Sequence, residues 1–144
     1  MKRTIGQIFL WGMMLLWSSC STCYSCRMAK KGFRELHATR WQVVQMNGKT
    51  VQHEGNELHF RLDTQTHQMT GYGICNAFSG TFSTDGTSSL SFEKVAATLR
   101  QCKGQAIEAE FLEILERTTR YDMDGEMMLL MSGNELIAVL QATE

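Results

Sequence analysis

The chain has 144 residues, 14 basic and 15 acidic side chains, 43% hydrophobic residues and no proline, for a formal charge of −1. That length suits one domain plus a short extension, and the balanced charge, with no basic stripe interleaved with aromatics, argues against a nucleic-acid partner. Long repeats and low-complexity tracts are absent, so a solenoid or a disordered polymer is not indicated.

The chain opens with Met1-Lys2-Arg3-Thr4, then runs from Ile5 to Trp17 without a charge and reaches Ser18-Ser19-Cys20. A basic start, an apolar run and small residues at its end form the layout of a secretory signal. As a helix the apolar run would be about 20 Å long, short of the roughly 30 Å hydrocarbon core, so cleavage is expected rather than a permanent span. A cysteine directly after the small pair resembles the bacterial lipoprotein cleavage box, whose cysteine takes lipid and becomes the new N-terminus. The usual leucine three residues before that cysteine is replaced by Trp17, with Leu16 one further back. Residues 1–19 are therefore expected to be a signal peptide, 20–40 a lipidated N-terminus and flexible tether, and 41–144 the domain. Removing Lys2 and Arg3 leaves 12 basic against 15 acidic residues.

Cys20, Cys23 and Cys26 also have the spacing of part of an iron–sulfur or zinc site. No nearby fourth cysteine or suitably spaced histidine follows, and the triplet abuts an export signal. Lipidation at Cys20, with Cys23 and Cys26 as spare thiols in the leader, is the expected reading. Arg27, Lys30, Lys31, Arg34 and Arg40 then lie in a stretch with no sustained period, which reads as a solvated linker.

Trp41 to Met46 followed by Asn47-Gly48 is a strand running into a hairpin turn. Leu58, Phe60 and Leu62 alternate with His59, Arg61 and Asp63, which predicts a half-buried strand. His67 to Gly73 makes the next strand, and Phe78–Ser83 and Leu90–Val95 make two more, turned at Asp85-Gly86. From Gln105 to Arg117 the apolar residues Ile107, Phe111, Ile114 and Leu115 share one helical face. Glu108, Glu110, Glu113 and Glu116 occupy much of the remainder. They read as a solvated face rather than a carboxylate cluster, because nothing in the sequence desolvates them. Tyr121 to Asp124, Met127 to Met131 and Leu136 to Leu140, separated by Gly-containing turns, complete a meander. Many of the ten methionines are expected to fill the core. The expected fold is α+β: a strongly curved, barrel-like antiparallel sheet of seven or eight strands with one packed helix. Trp41, Phe60, Phe78, Phe82, Phe92, Phe111 and Leu115 are its expected core.

The densest pattern lies between Gly71 and Cys102. It opens as Gly71-Tyr72-Gly73-Ile74-Cys75-Asn76-Ala77-Phe78-Ser79-Gly80 and closes as Thr98-Leu99-Arg100-Gln101-Cys102. Glycines at 71, 73 and 80 mark positive φ or close approach. A glycine, Cys75-Asn76, Phe78-x-Gly80 and a later Thr98-x-x-x-Cys102 resemble the META domain family, that of the heat-inducible HslJ-type envelope proteins of bacteria. Trp41 near the first strand and the Glu108-x-x-Phe111 spacing fit the same pattern, which covers about Trp41 to Ala142. Leu99-Arg100-Gln101 departs from it, since the family often has a basic residue and then methionine there.

The resemblance implies a non-enzymatic envelope lipoprotein, supporting envelope integrity or stress tolerance, with no settled molecular activity. Its expected partners are a membrane, through the N-terminal lipid, and an envelope protein or small molecule. Its expected location is the cell envelope, facing the periplasm or outer membrane. The alternative is a small-ligand-binding module of the periplasm or cell surface, with its ligand in the open end of the curved sheet. Cys75 and Cys102 are expected to form a structural disulfide; a thiol redox pair and a free buried pair are the other readings. His37, His53, His59 and His67 show no ligand spacing, and Gly71-x-Gly73 lacks the rest of a dinucleotide fingerprint. No catalytic, cofactor-binding or metal-binding residue is therefore assigned, and no cofactor is called for.

Overall fold

The computed structural model describes residues 35–52 and 57–144. The signal segment, Cys20, Cys23, Cys26 and most of the expected tether lie outside the described residues. The chain forms β1 (Arg40–Met46), β2 (Lys49–Thr50), β3 (His59–Asp63), β4 (Gln68–Tyr72), β5 (Ala77–Thr84) and β6 (Leu90–Ala97). A helix, α1 (Gln105–Arg117), follows, and then β7 (Arg120–Asp124), β8 (Met127–Ser132) and β9 (Glu135–Thr143). The helix has the bounds that the apolar spacing predicted.

All pairings are antiparallel, in the order β6-β5-β4-β3-β1-β9-β8-β7, with β2 paired to β1. Asn47 and Gly48, with φ of 45° and 77°, make the tight turn between β1 and β2. Positive φ at both central residues matches the right-handed twist of a hairpin, and Asn-Gly is the pair that adopts it most readily. The two ends of the sheet curl toward each other. Ser89 bridges Arg120, Leu90 N donates to Thr119 O at 3.3 Å and Tyr121 N donates to Ser88 O at 2.8 Å. The result is a half-barrel nearly closed at one end of its edge strands.

Alternation along the strands sends one set of side chains into the curl. Trp41, Leu58, Phe60, Leu62, Met69, Leu90, Met128 and Leu130 are fully buried there. The connection from β6 to β7 is α1, so the helix bridges the two edges and lays Phe111, Ile114 and Leu115 into the same core. The Phe111 ring lies 6.1 Å from Phe60 and 5.8 Å from Phe78. All seven aromatic and aliphatic residues expected in the core belong to it. His37 bridges Leu62, and Ala38 N donates to Leu62 O at 3.1 Å, so the folded part already begins ahead of Trp41.

Candidate functional site

β4 and β5 are joined by the turn 73–76. Gly73 N donates to Asn76 O at 2.7 Å, which leaves the amides of Cys75 and Asn76 outside the strand ladder. Both donate to Glu108 Oε2 at 3.0 Å. The Asn76 side chain completes the arrangement: its Nδ2 donates to Glu108 Oε1 at 2.5 Å and to Arg100 O at 3.1 Å. Its Oδ1 accepts from Thr98 Oγ1 at 2.9 Å and from Arg100 N at 2.6 Å. Asn76 is 5% exposed and Glu108 3%. Every hydrogen-bonding capacity of the buried amide is used, and three N–H groups serve the carboxylate.

Glu108 is therefore not part of a solvated helix face. It sits three residues before Phe111 and seven before Leu115, on the stripe that α1 buries, and the turn 73–76 supplies donors that offset its loss of water. The remaining glutamates differ: Glu113 and Glu116 are exposed, and Glu110 accepts from Asn47 Nδ2 at 2.7 Å.

The motif glycines act through close approach, and none of the three has positive φ. A Cβ at Gly73 would collide with the Glu108 carboxylate, and one at Gly71 with the Phe78 ring. At Gly80 a Cβ would lie 3.0 Å from the Glu93 carbonyl oxygen. Gly71 thus lets Phe78 reach the core, and Gly73 lets Glu108 reach the turn.

Cys75 and Cys102 are joined in a disulfide with their Cα atoms 6.0 Å apart. Cys75 is half-buried and Cys102 exposed. Gly104 N, just ahead of α1, donates to Cys102 Sγ at 3.4 Å. The segment 98–102 is consequently held at three places: Thr98 and Arg100 by Asn76, and Cys102 by the disulfide. Between the first two holds, Leu99 projects outward and is 99% exposed. One groove, of about 330 Å³, separates this segment from Gln105, Ala109 and Leu112 of α1. Another, of about 290 Å³, separates it from Tyr72 and Gly73.

His53 lies outside the described residues, and the other three histidines are dispersed. His37 Nδ1 accepts from Thr64 N at 3.1 Å, His59 stacks on Tyr72 at 5.8 Å, and His67 packs on Phe82 at 5.7 Å. Among the described residues no three metal-ligating side chains come together. Cys75, Asn76, Phe78, Gly71, Thr98 and Cys102 do gather around one turn, with Gly80 further along β5. The residue that sequence reasoning misplaced is Glu108, and its position on the Phe111–Leu115 stripe was the available signal.

The sequence pattern of the META domain matches residues 34–144. An NMR structure of a protein from Burkholderia xenovorans is similar over 75% of this chain and 83% of its own, with a TM-score of 0.60 and 24% identity. A second NMR structure is similar over 72% of this chain and 87% of its own, with a TM-score of 0.57 and 19% identity. At these identities the likeness is one of fold. No curated protein matches the chain.

Proposed function

This chain belongs to the META domain family, and on that premise we propose that it is a non-enzymatic lipoprotein of the cell envelope. Lipid on Cys20 anchors it, and its domain supports envelope integrity or stress tolerance through contacts made by its surface. The observation that carries this reading is how the motif residues are occupied. The carboxylate of Glu108 takes three N–H donors, Asn76 is fully bonded, and both motif cysteines share one bond. Chemistry needs a group left free to attack, to move a proton or to hold a cofactor. Here these groups serve to hold the segment 98–102 in place, which suits a domain whose work is contact. The packing of Phe111, Ile114 and Leu115 into the curl favours contact on the outer surface over a ligand held inside it.

Intact-mass analysis of protein extracted from membranes tests the anchoring. The expected product lacks residues 1–19 and carries added acyl mass; an unmodified product, or one starting at Cys23, overturns the assignment of Cys20. A pull-down from detergent-solubilised envelopes then tests for a contact partner.

A further inference from the structure

We infer that the outer face of β4, β5 and the end of β6 is a binding site for a saccharide that carries carboxylate groups. On this face the side chains are small. Thr70, Ser79 and Ala96 form one cross-strand row, and Tyr72 and Ala77 form the next, which Thr98 continues through its N–H bond to Ala77 O at 3.0 Å. Together they make a trough of about 460 Å³. It shares Tyr72, Ala77 and Thr98 with the neighbouring groove that ends at Arg100.

Tyr72 is the wall of this trough. It is 62% exposed, an unusual position for a large aromatic ring. Its cross-strand neighbour on β3 is His59, which stacks on it at 5.8 Å with 28° between the planes. Its neighbour on β5 is Ala77, a methyl group. The ring is thus backed on the β3 side and open on the trough side. The C–H face of a sugar ring fits against such a surface, while its hydroxyls meet the side-chain oxygens of Thr70, Ser79 and Thr98. A peptide suits this face less well. The sheet amides are committed to the ladder, so an extended backbone lying across it would leave its own N–H and C=O groups without partners.

Charge selects an acidic sugar. Arg100 lines the groove at one end of the trough, and Arg61, paired with Thr70, stands on the opposite flank. Neither guanidinium has an ion-pair or hydrogen-bond partner among the described residues. The fork of a guanidinium matches a carboxylate in two parallel bonds. The backbone of Arg100 is held on both sides by Asn76, which fixes the point from which this side chain leaves the segment. That this site meets its ligand in the envelope rests on the proposed anchoring.

The test is titration of the full-length chain in detergent with tetragalacturonate, neutral maltotetraose and poly-glutamate, read by NMR shifts and by affinity. The expected result is shifts at Tyr72, Thr70 and Ser79, with the acidic sugar bound about tenfold more tightly than the neutral one. Tyr72→Ala and Ser79→Leu, which remove the wall and fill the floor, should each weaken sugar binding about tenfold with an unchanged Tm. Arg100→Gln should abolish the preference for the acidic sugar. Poly-glutamate binding as tightly as the sugar and indifferent to Tyr72→Ala would overturn the inference in favour of an acidic peptide. Absence of shifts at Tyr72 with either sugar would overturn it outright. Because lipid is read separately by mass, failure of the anchoring leaves this result distinct.

Discussion

Glu108 shows how a single charge is kept inside this fold. A buried carboxylate is strongly unfavourable unless its oxygens are bonded, and here the amides of Cys75 and Asn76 and the side chain of Asn76 bond them. Removing the carboxylate leaves those donors buried without a partner. Glu108→Ala should therefore destabilise the domain by about 3–5 kcal/mol in urea unfolding, since bonds to a charged group and orphaned donors each contribute about 1–3 kcal/mol. A loss below about 1 kcal/mol would mean that water readily replaces the carboxylate. Asn76→Asp is the sharper probe. It exchanges the Nδ2 donor facing Glu108 for a second acidic oxygen, so it should destabilise more than Asn76→Ala at neutral pH. The sequence carried half of this: spacing put Glu108 on the apolar stripe, but its donors come from a turn more than thirty residues earlier, a distance that periodicity does not span.

Among the elements, the turn after β5 and the helix carry distinct expectations. Asp85-Gly86 is the start of a longer loop. Asp85 Oδ1 accepts from the amides of Thr87 at 2.8 Å and of Ser88 and Ser89 at 2.9 Å, and Gly86 has a φ of 75°. Those amides, Thr87 first, hold the Asp85 carboxyl far below its ordinary value of 3.8. A lowered folded-state value means that the unfolded chain takes up the proton first. The stabilisation is then fully present above the ordinary value and is lost as pH falls through the folded one. Thermal melts between neutral and strongly acidic pH should show a steeper loss of Tm below about pH 4 in the parent chain than in Asp85→Asn. Equal slopes would show that the loop does not depend on the charge. For the helix, Phe111 is fully buried between Phe60 and Phe78, and Phe111→Ala should lose about 3–5 kcal/mol through the cavity it leaves. Equilibrium unfolding checks this, and a loss below about 1 kcal/mol would show that the core collapses around the gap.

For the molecule as a whole, the Cys75–Cys102 disulfide ties the β4–β5 turn to the start of α1, across 27 positions of sequence. Closing a loop of that size restricts the unfolded chain and is worth roughly 3–4 kcal/mol, against a total margin of about 5–15 kcal/mol. Reduction, or Cys75→Ser, should lower the Tm by many degrees, while the core of the half-barrel remains assembled at low temperature. Melts with and without reductant, paired with far-ultraviolet circular dichroism at low temperature, check both parts. An unchanged Tm would show that Asn76 and Glu108 hold the segment 98–102 alone.

Local patterning determined most of the architecture. Alternation over Leu58–Leu62, the Asn47-Gly48 turn and the Ile107–Leu115 stripe each specify an element, because side-chain periods of two and 3.6 register directly which face leaves water. The core was readable for the same reason: large apolar residues on one face of several strands have only one interior to share. The role of the motif residues was decided by tertiary structure. Gly73 is required because Glu108 comes from another element to meet it, and Leu99 is exposed because Asn76 grips the residues on both sides. The curl of the sheet decided which edges meet, and with them that α1 fills the interior while Tyr72 stands over small side chains outside. Such arrangements depend on contacts between segments far apart in the chain, and pattern within any one segment carries no record of them.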